Sequence, residues 1–205
     1  MSKYPELLLA TENKAKIREL SQLLEGIPFR ILSPDTKGIK LSVEETGRSM
    51  EENARLKATD YARASGLISI ADDSGLEVDA LSGEPGIRSR RYAGENASDE
   101  ERISFILKKM VDIPWEKRSA RFRCVLSIAT PAGQVSICEG ICEGYITFTP
   151  QGSGGFGYDP IFFIPEIDKT MAELPAEIKN QVSHRAKAAG KARLILNDIR
   201  ETIFS

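Results

Sequence analysis

The chain has 205 residues, 28 Lys and Arg against 30 Asp and Glu, a formal net charge of -2 and an apolar fraction of 41%. A chain of this length buries about 70% of the surface its unfolded form exposes, so one domain suffices, and the composition is that of an ordered globular protein. Without a basic excess, nucleic acid is not an expected partner; a small phosphorylated ligand fits if a few lysines or a metal supply positive charge locally.

Cys124, Cys138 and Cys142 are odd in number, lie in β-like sequence and read as small buried hydrophobes of a reducing compartment. With His184 the one histidine and no Cys-x-x-Cys, zinc is disfavoured, and any metal should be a hard cation on carboxylates. Met1-Ser2-Lys3-Tyr4-Pro5-Glu6 lacks the apolar core of a signal peptide, and no apolar run approaches membrane-spanning length. A cytoplasmic location with no membrane partner is expected.

Glu6–Ala10 reads as a first strand buried on both faces, running into Thr11-Glu12-Asn13-Lys14-Ala15-Lys16. Ala15–Glu25 carries Ile17, Leu20, Leu23 and Leu24 at helical spacing, with Gly26 where a C-terminal glycine cap belongs. A strand, loop and helix in succession offer backbone N–H groups and the helix dipole to an anion, with Thr11, Asn13 and Lys16 as further donors. The same residues equally suit plain capping by Thr11 or Asn13, with Lys16 on a solvated face. There is no Gly-x-x-x-x-Gly-Lys, so the loop is not a P-loop.

Glu44-Glu45 precedes a turn, a place where such pairs are usually solvated. Ser49 with Glu52 forms a capping box opening a helix to about Ser65, stopped by Gly66. Its inward stripe gathers Met50, Ala54, Ala58, Tyr61 and Ser65; Lys57 projects inside it and Asn53 sits at its edge. A buried ammonium without a partner is costly, so Lys57 either snorkels out or meets an anion such as phosphate.

In Ile68-Ser69-Ile70-Ala71-Asp72-Asp73-Ser74-Gly75 an apolar run ends in two carboxylates and a turn. Ligands of open α/β sheets bind beyond strand ends. Strand parity puts Asp72 on the face of Ile68 and Ile70, and Asp73 on the less crowded face of Ser69 and Ala71. Asp73 is therefore the candidate catalytic group, with Asp72 accepting hydrogen bonds from the turn amides; alternatively both only cap the turn.

Ser98 with Glu101 is a second capping box, leading a helix whose Ile103, Ile106, Leu107 and Met110 read as core packing and nothing more, ended by Pro114. From Ser119 to Thr149 the period changes to two: Phe122, Cys124, Leu126 and Ile128 alternate, Pro131-Ala132-Gly133 turns, and Val135–Phe148 returns with Gly140 and Gly144 as expected bulges. This antiparallel section makes the sheet mixed. Gln151-Gly152-Ser153-Gly154-Gly155-Phe156-Gly157-Tyr158-Asp159-Pro160 offers close backbone approach and, in Phe156 and Tyr158, flat faces for a base; it also suits a turn ahead of the buried strand Ile161–Ile164. Thr170 with Glu173 is a third capping box, and Pro175 starts a short helix towards Lys179. Ser183-His184-Arg185 heads a last helix burying Ala192, Ile195, Leu196, Ile199 and Ile203. A lone histidine such as His184 is more often structural.

Taken together, Thr11 to Lys16, Glu44-Glu45-Thr46-Gly47, Glu52 to Ala58, Ala71 to Leu76, Pro85 to Tyr92, Gly154 to Pro160 and Ser183-His184-Arg185 resemble the inosine triphosphate pyrophosphatase family, which hydrolyses non-canonical purine nucleoside triphosphates. The resemblance runs along nearly the whole chain. It implies one α/β domain over 1–205, a mixed central β-sheet flanked by helices, in two lobes with an active-site cleft between them. It implies that the Thr11, Asn13 and Lys16 loop and Lys57 hold the triphosphate, that Glu45 and Asp73 bind Mg²⁺ with Asp73 also the base, and that Ser74 contacts substrate. Phe156, Gly157, Tyr158, Asp159, Lys179, His184 and Arg185 enclose and read the purine, with Lys179, His184 and Arg185 as donors to O6. A homodimer is also implied. Two departures stand out: Glu12 where glycine is frequent, and Arg90 where alanine is usual. The rivals are a pyrophosphatase of pyrimidine triphosphates, against which Ser183-His184-Arg185 argues, and a purine-nucleotide sensor without catalysis, against which Glu45, Asp72 and Asp73 argue.

Overall fold

The computed structural model describes residues 4–204, and side chains to residue 202, so the Met1–Lys3 reading and the expected burial of Ile203 lie outside the described residues. Its elements in chain order are β1 (Glu6–Leu9), α1 (Lys14–Leu23), β2 (Arg30–Leu32), α2 (Pro34–Lys37), α3 (Met50–Ser65), β3 (Ile68–Val78) and α4 (Asp99–Lys109). They continue with β4 (Ser119–Ala129), β5 (Val135–Ile146), β6 (Phe162–Ile164), β7 (Lys169–Thr170), α5 (Ala176–Val182) and α6 (His184–Phe204). Among the described residues the strands form a seven-stranded sheet in the order β2-β1-β3-β4-β5-β6-β7. β1 pairs parallel with β2 and β3, and β6 antiparallel with β5 and β7, so the fold is α/β with a mixed sheet, as expected. No described helix is long and apolar enough to cross a membrane.

The chain divides into two compact units: the stretch through Asp73 with Cys124–Gly140 and the stretch from Arg185, and Ser74–Arg123 with Ile141–His184. In the first unit, strand alternation sorts the core. Leu7, Leu9, Ile68 and Ile70 point to one face and pack with Leu20 and Leu24 of the α1 region and Ala188, Ala192 and Leu196 of α6. Leu8, Ala10 and Ala71 point to the other and pack with Ala58, Tyr61 and Ala62 of α3. Each fully buried leucine here contributes about 1.5–3 kcal/mol. In the second unit Leu76, Val78, Phe122 and Phe162 pack against Ile103 and Ile106 of α4.

Two expectations are corrected. β3 does not turn at Ser74-Gly75 but runs unbroken to Val78, because Leu76 and Val78 resume the two-residue alternation and are fully buried. Helix α1 ends at Leu23 with Leu24 as its C-cap, and Gly26, at φ 82°, turns the chain two residues later. Gly144 also sits at a close approach, where an added Cβ would lie 2.7 Å from the Phe162 ring. The buried Arg118 went unnoticed in the sequence; its guanidinium donates to the carbonyls of Met110, Ile113, Ile146 and Thr147, which satisfy a charge that burial would otherwise penalise.

Candidate active site

The parity that sorts the core also separates the adjacent acids. Asp72 follows Ile70 onto the face covered by α1 and α6, where its Oδ2 accepts from Arg185 Nε at 2.7 Å and from the Cys124 thiol at 3.3 Å, and Lys16 pairs with its Oδ1. Arg185 is 2% exposed and also donates through Nη1 to Glu19 Oε2 at 2.6 Å. Burial alone would push the Asp72 carboxyl up, but Arg185 and Lys16 together hold it well below the usual carboxylate range. Asp72 is thus a fixed anion that tethers two cations.

Asp73 follows Ala71 onto the α3 face. Lys57 Nζ donates to Asp73 Oδ1 at 2.9 Å, to Glu45 Oε1 at 2.7 Å and to the Asp72 carbonyl at 2.8 Å. The stripe lysine therefore neither snorkels out nor lies unpartnered. Burial opposes its charge, yet Asp73 and Glu45 raise its pKa overall. Burial pushes the Asp73 carboxyl up; Lys57 and Lys16 pull it back, Glu45 adds to the rise, and the net direction is upward. The two shifts agree: Lys57 gains from two carboxylates, whereas Asp73 bears its own desolvation and a neighbouring negative charge.

Glu45 and Asp73 already converge on one cationic atom. Among the described residues no cluster of three or more His, Cys, Asp or Glu forms a metal cage, and none is needed for Mg²⁺, which usually takes one or two carboxylates and fills its shell with water and phosphate oxygen. The donor set therefore fits a hard divalent ion.

At the head of α1, Asn13 is the N-cap: its Oδ1 accepts from Ala15 and Lys16 N–H at 2.9 and 3.2 Å, and Thr11 Oγ1 accepts from Asn13 N–H at 3.2 Å. The capping reading holds for Asn13 alone, Thr11 instead accepting from the cap residue's own N–H, while Lys16 sits beside Asp72 instead of on a solvated face.

In the second unit, Asp159 Oδ2 accepts from Lys179 Nζ at 2.6 Å and Phe156 N–H at 2.9 Å, and Lys179 lies 5.2 Å from the Phe156 ring centre. Gly157 N–H donates to Asp99 Oδ2 at 2.6 Å, so the first turn of α4 anchors this loop as well as packing the core. Tyr158 offers no flat face: it is 4% exposed and its hydroxyl donates to the Ser89 carbonyl at 2.8 Å. The His184 ring is buried and stacks on Phe122 at 4.7 Å. Ser74 is half-buried on β3.

Gly155 and Gly157 both take positive φ, 71° and 65°, but only at Gly155 would a Cβ collide with the Asp159 carboxylate and approach Lys179 Nζ to 3.0 Å. Both alanine variants bear a backbone cost on the order of 1–3 kcal/mol. Gly155→Ala is expected to lower the thermal midpoint more than Gly157→Ala, and equal losses would mean that the Asp159–Lys179 pair yields freely.

Lys16, Glu45, Lys57, Asp72, Asp73 and Arg185 thus come together in one unit, and Phe156, Asp159 and Lys179 in the other. Sequence reading missed Glu19 and Cys124, the further partners of the Asp72 cluster. Glu19 was traceable, lying one turn beyond Lys16 on α1; nothing in the local sequence singles out Cys124.

The Ham1 family model matches residues 7–194. A dITP/XTP pyrophosphatase of Geobacter sulfurreducens is 49% identical over 182 residues, 89% of this chain and 92% of that protein. One of Halalkalibacterium halodurans is 48% identical over 89% of this chain and 94% of its own length. The solved structure of a HAM1 protein from Coxiella burnetii superposes with a TM-score of 0.86 at 39% identity, covering 95% of this chain and 99% of that one.

Proposed function

This chain belongs to the Ham1 family, and we propose that it hydrolyses non-canonical purine nucleoside triphosphates such as dITP, ITP and XTP to the monophosphate and pyrophosphate. The observation that carries this reading is the opposite placement of two adjacent carboxyl groups, Asp72 tied to Arg185 and Lys16 on one face and Asp73 facing Lys57 and Glu45 on the other, which holds the first carboxyl down and leaves the second pushed up. Two acids whose surroundings drive their pKa values apart take different roles. Asp73, the stronger base, accepts a proton from the water that attacks the α-phosphorus, while Asp72 stays charged and holds Lys16 in place. Lys16 and Lys57 neutralise charge on the departing pyrophosphate.

Glu45 and Asp73 are the residues that would hold Mg²⁺, which when bound acidifies water and neutralises phosphate charge. Thr11 and Asn13 shape the loop that meets the phosphate tail, and Ser74 contacts the substrate. At the base, Phe156 supplies a face, the Gly157–Asp159 backbone a wall, and Lys179 the cationic donor that favours a 6-oxo purine over adenine. His184 and Arg185 are buried and engaged, so their part is to order neighbours. A cytoplasmic enzyme is in keeping with three buried cysteines that form no disulfide. Dimerisation rests on resemblance alone, and light scattering reads it directly.

Pyrophosphate released from ITP, XTP and ATP, with and without Mg²⁺, tests the proposal. Expected is turnover of ITP and XTP far above ATP, abolished by chelation and restored by added Mg²⁺. Equal turnover of ATP, or turnover in excess chelator, would overturn it.

A further inference from the structure

We infer that one face of α3, carrying Asn53, Lys57 and Tyr61, fastens the segment that bears Glu45, making Asn53 and Tyr61 positioning residues for that carboxylate. The inference rests on the reading of Glu45 as a cation ligand. Residues 39–47 have no regular secondary structure, so their own backbone ladder does not fix where Glu45 stands.

Three side chains at i, i+4 and i+8 on α3 do so instead. Tyr61 Oη donates to the Leu41 carbonyl at 2.9 Å, Lys57 Nζ to Glu45 Oε1 at 2.7 Å, and Asn53 Oδ1 accepts from Gly47 N–H at 2.8 Å. The segment runs antiparallel to the helix, its residues 41, 45 and 47 meeting helix residues 61, 57 and 53. Gly47 lies so close that an added Cβ would stand 2.6 Å from Asn53 Oδ1 and 2.9 Å from Asn53 N. The outer two side chains are buried: Asn53 at 0% and Tyr61 at 3% exposure.

The middle fastening is shared. Lys57 also holds Asp73 and the Asp72 carbonyl, and phosphate oxygens compete for the same ammonium. When Lys57 turns to phosphate, Asn53 and Tyr61 remain to keep Glu45 opposite Asp73. A second observation on Asn53 agrees with this, for its Nδ2 is buried without a hydrogen-bond partner among the described residues. An unsatisfied buried donor is a burden on stability, so the useful part of this side chain is the oxygen on Gly47.

That asymmetry separates positioning from mere structure. Asn53→Leu removes the orphan donor together with the acceptor, and Tyr61→Phe removes a single hydroxyl. Four readouts apply to both variants: Mg²⁺ dependence of ITP hydrolysis, Mn²⁺ binding by calorimetry without nucleotide, hydrogen exchange at Gly47, and the thermal midpoint. Expected for each is about a tenfold rise in the Mg²⁺ needed for half-maximal rate, as for the loss of other groups that orient metal ligands. Mn²⁺ binding should weaken in parallel, with the rate at saturating Mg²⁺ retained and, for Asn53→Leu, faster Gly47 exchange without a lower midpoint. Unchanged Mg²⁺ and Mn²⁺ dependence would overturn the inference, whether or not the midpoint falls. A wild-type protein that releases no pyrophosphate from ITP refutes the proposed function instead, and Mn²⁺ binding and Gly47 exchange still judge the fastening.

Discussion

Asp73→Asn is expected to remove pyrophosphate release from ITP, lowering kcat by roughly 10²–10⁴-fold from loss of the base alone and further through loss of a carboxylate at the cation. The amide keeps the shape and an oxygen acceptor for Lys57, which retains Glu45 and the Asp72 carbonyl. Two effects on stability oppose each other. The raised pKa of Asp73 means that its ionisation works against folding as pH rises above the ordinary 3.8, a burden the amide lifts. Against this, Lys57 loses one of its two anionic partners. The thermal midpoint at neutral pH should therefore hold while turnover disappears, and a calorimetric scan beside a pyrophosphate assay checks both. Full turnover in Asp73→Asn would take Asp73 out of the chemistry.

Much of this arrangement is legible in the chain because it depends on local periodicity. The alternation of Ile68, Ser69, Ile70 and Ala71 already places Asp72 and Asp73 on opposite faces, and the sheet keeps that parity. The N-cap Ser49, whose Oγ accepts from Glu52 N–H, and the glycine at Gly66 bound α3 where the sequence places it, although the expected capping box is only half made because Glu52 Oε2 accepts from Arg48 N–H instead of Ser49 N–H. Lys57 inside an apolar stripe is an anomaly that either snorkelling or an anion resolves, and the structure supplies Glu45 and Asp73.

What stayed hidden depends on distance along the chain. A sequence shows that Arg185 begins a helix; it does not show that this guanidinium reaches a carboxylate 113 residues away. Tyr158 has the same composition as a stacking platform, and only the position of the Ser89 carbonyl turns it into a core residue. The Ser74-Gly75 pair reads as a turn by residue type, yet Leu76 and Val78 have apolar surface to bury, and continuing the strand buries it. In each case tertiary burial decided between two locally acceptable conformations.

Asp72→Asn should have the larger effect on the fold. The substitution takes a carboxylate from a guanidinium that is 2% exposed and leaves it to Glu19, and breaking a buried pair from one side costs about 3–5 kcal/mol. For a chain of this size that corresponds to a fall in thermal midpoint of roughly 10 °C. Because the folded-state pKa of Asp72 lies below the ordinary 3.8, its contribution is present above that value and is lost only as pH falls through the folded pKa. The gap between wild type and Asp72→Asn should therefore be flat across neutral pH and close only in strong acid. Replacing both partners by apolar side chains, Asp72→Leu with Arg185→Met, should recover part of the midpoint, since no charge is left at the fully buried pair, although Lys16 and Glu19 each lose a partner. It should not recover ITP turnover, because Lys16 would still lack the carboxylate beside it. An Arg185→Met variant that shifts the preference between ITP and ATP with its midpoint intact would instead make this arginine a reader of the base.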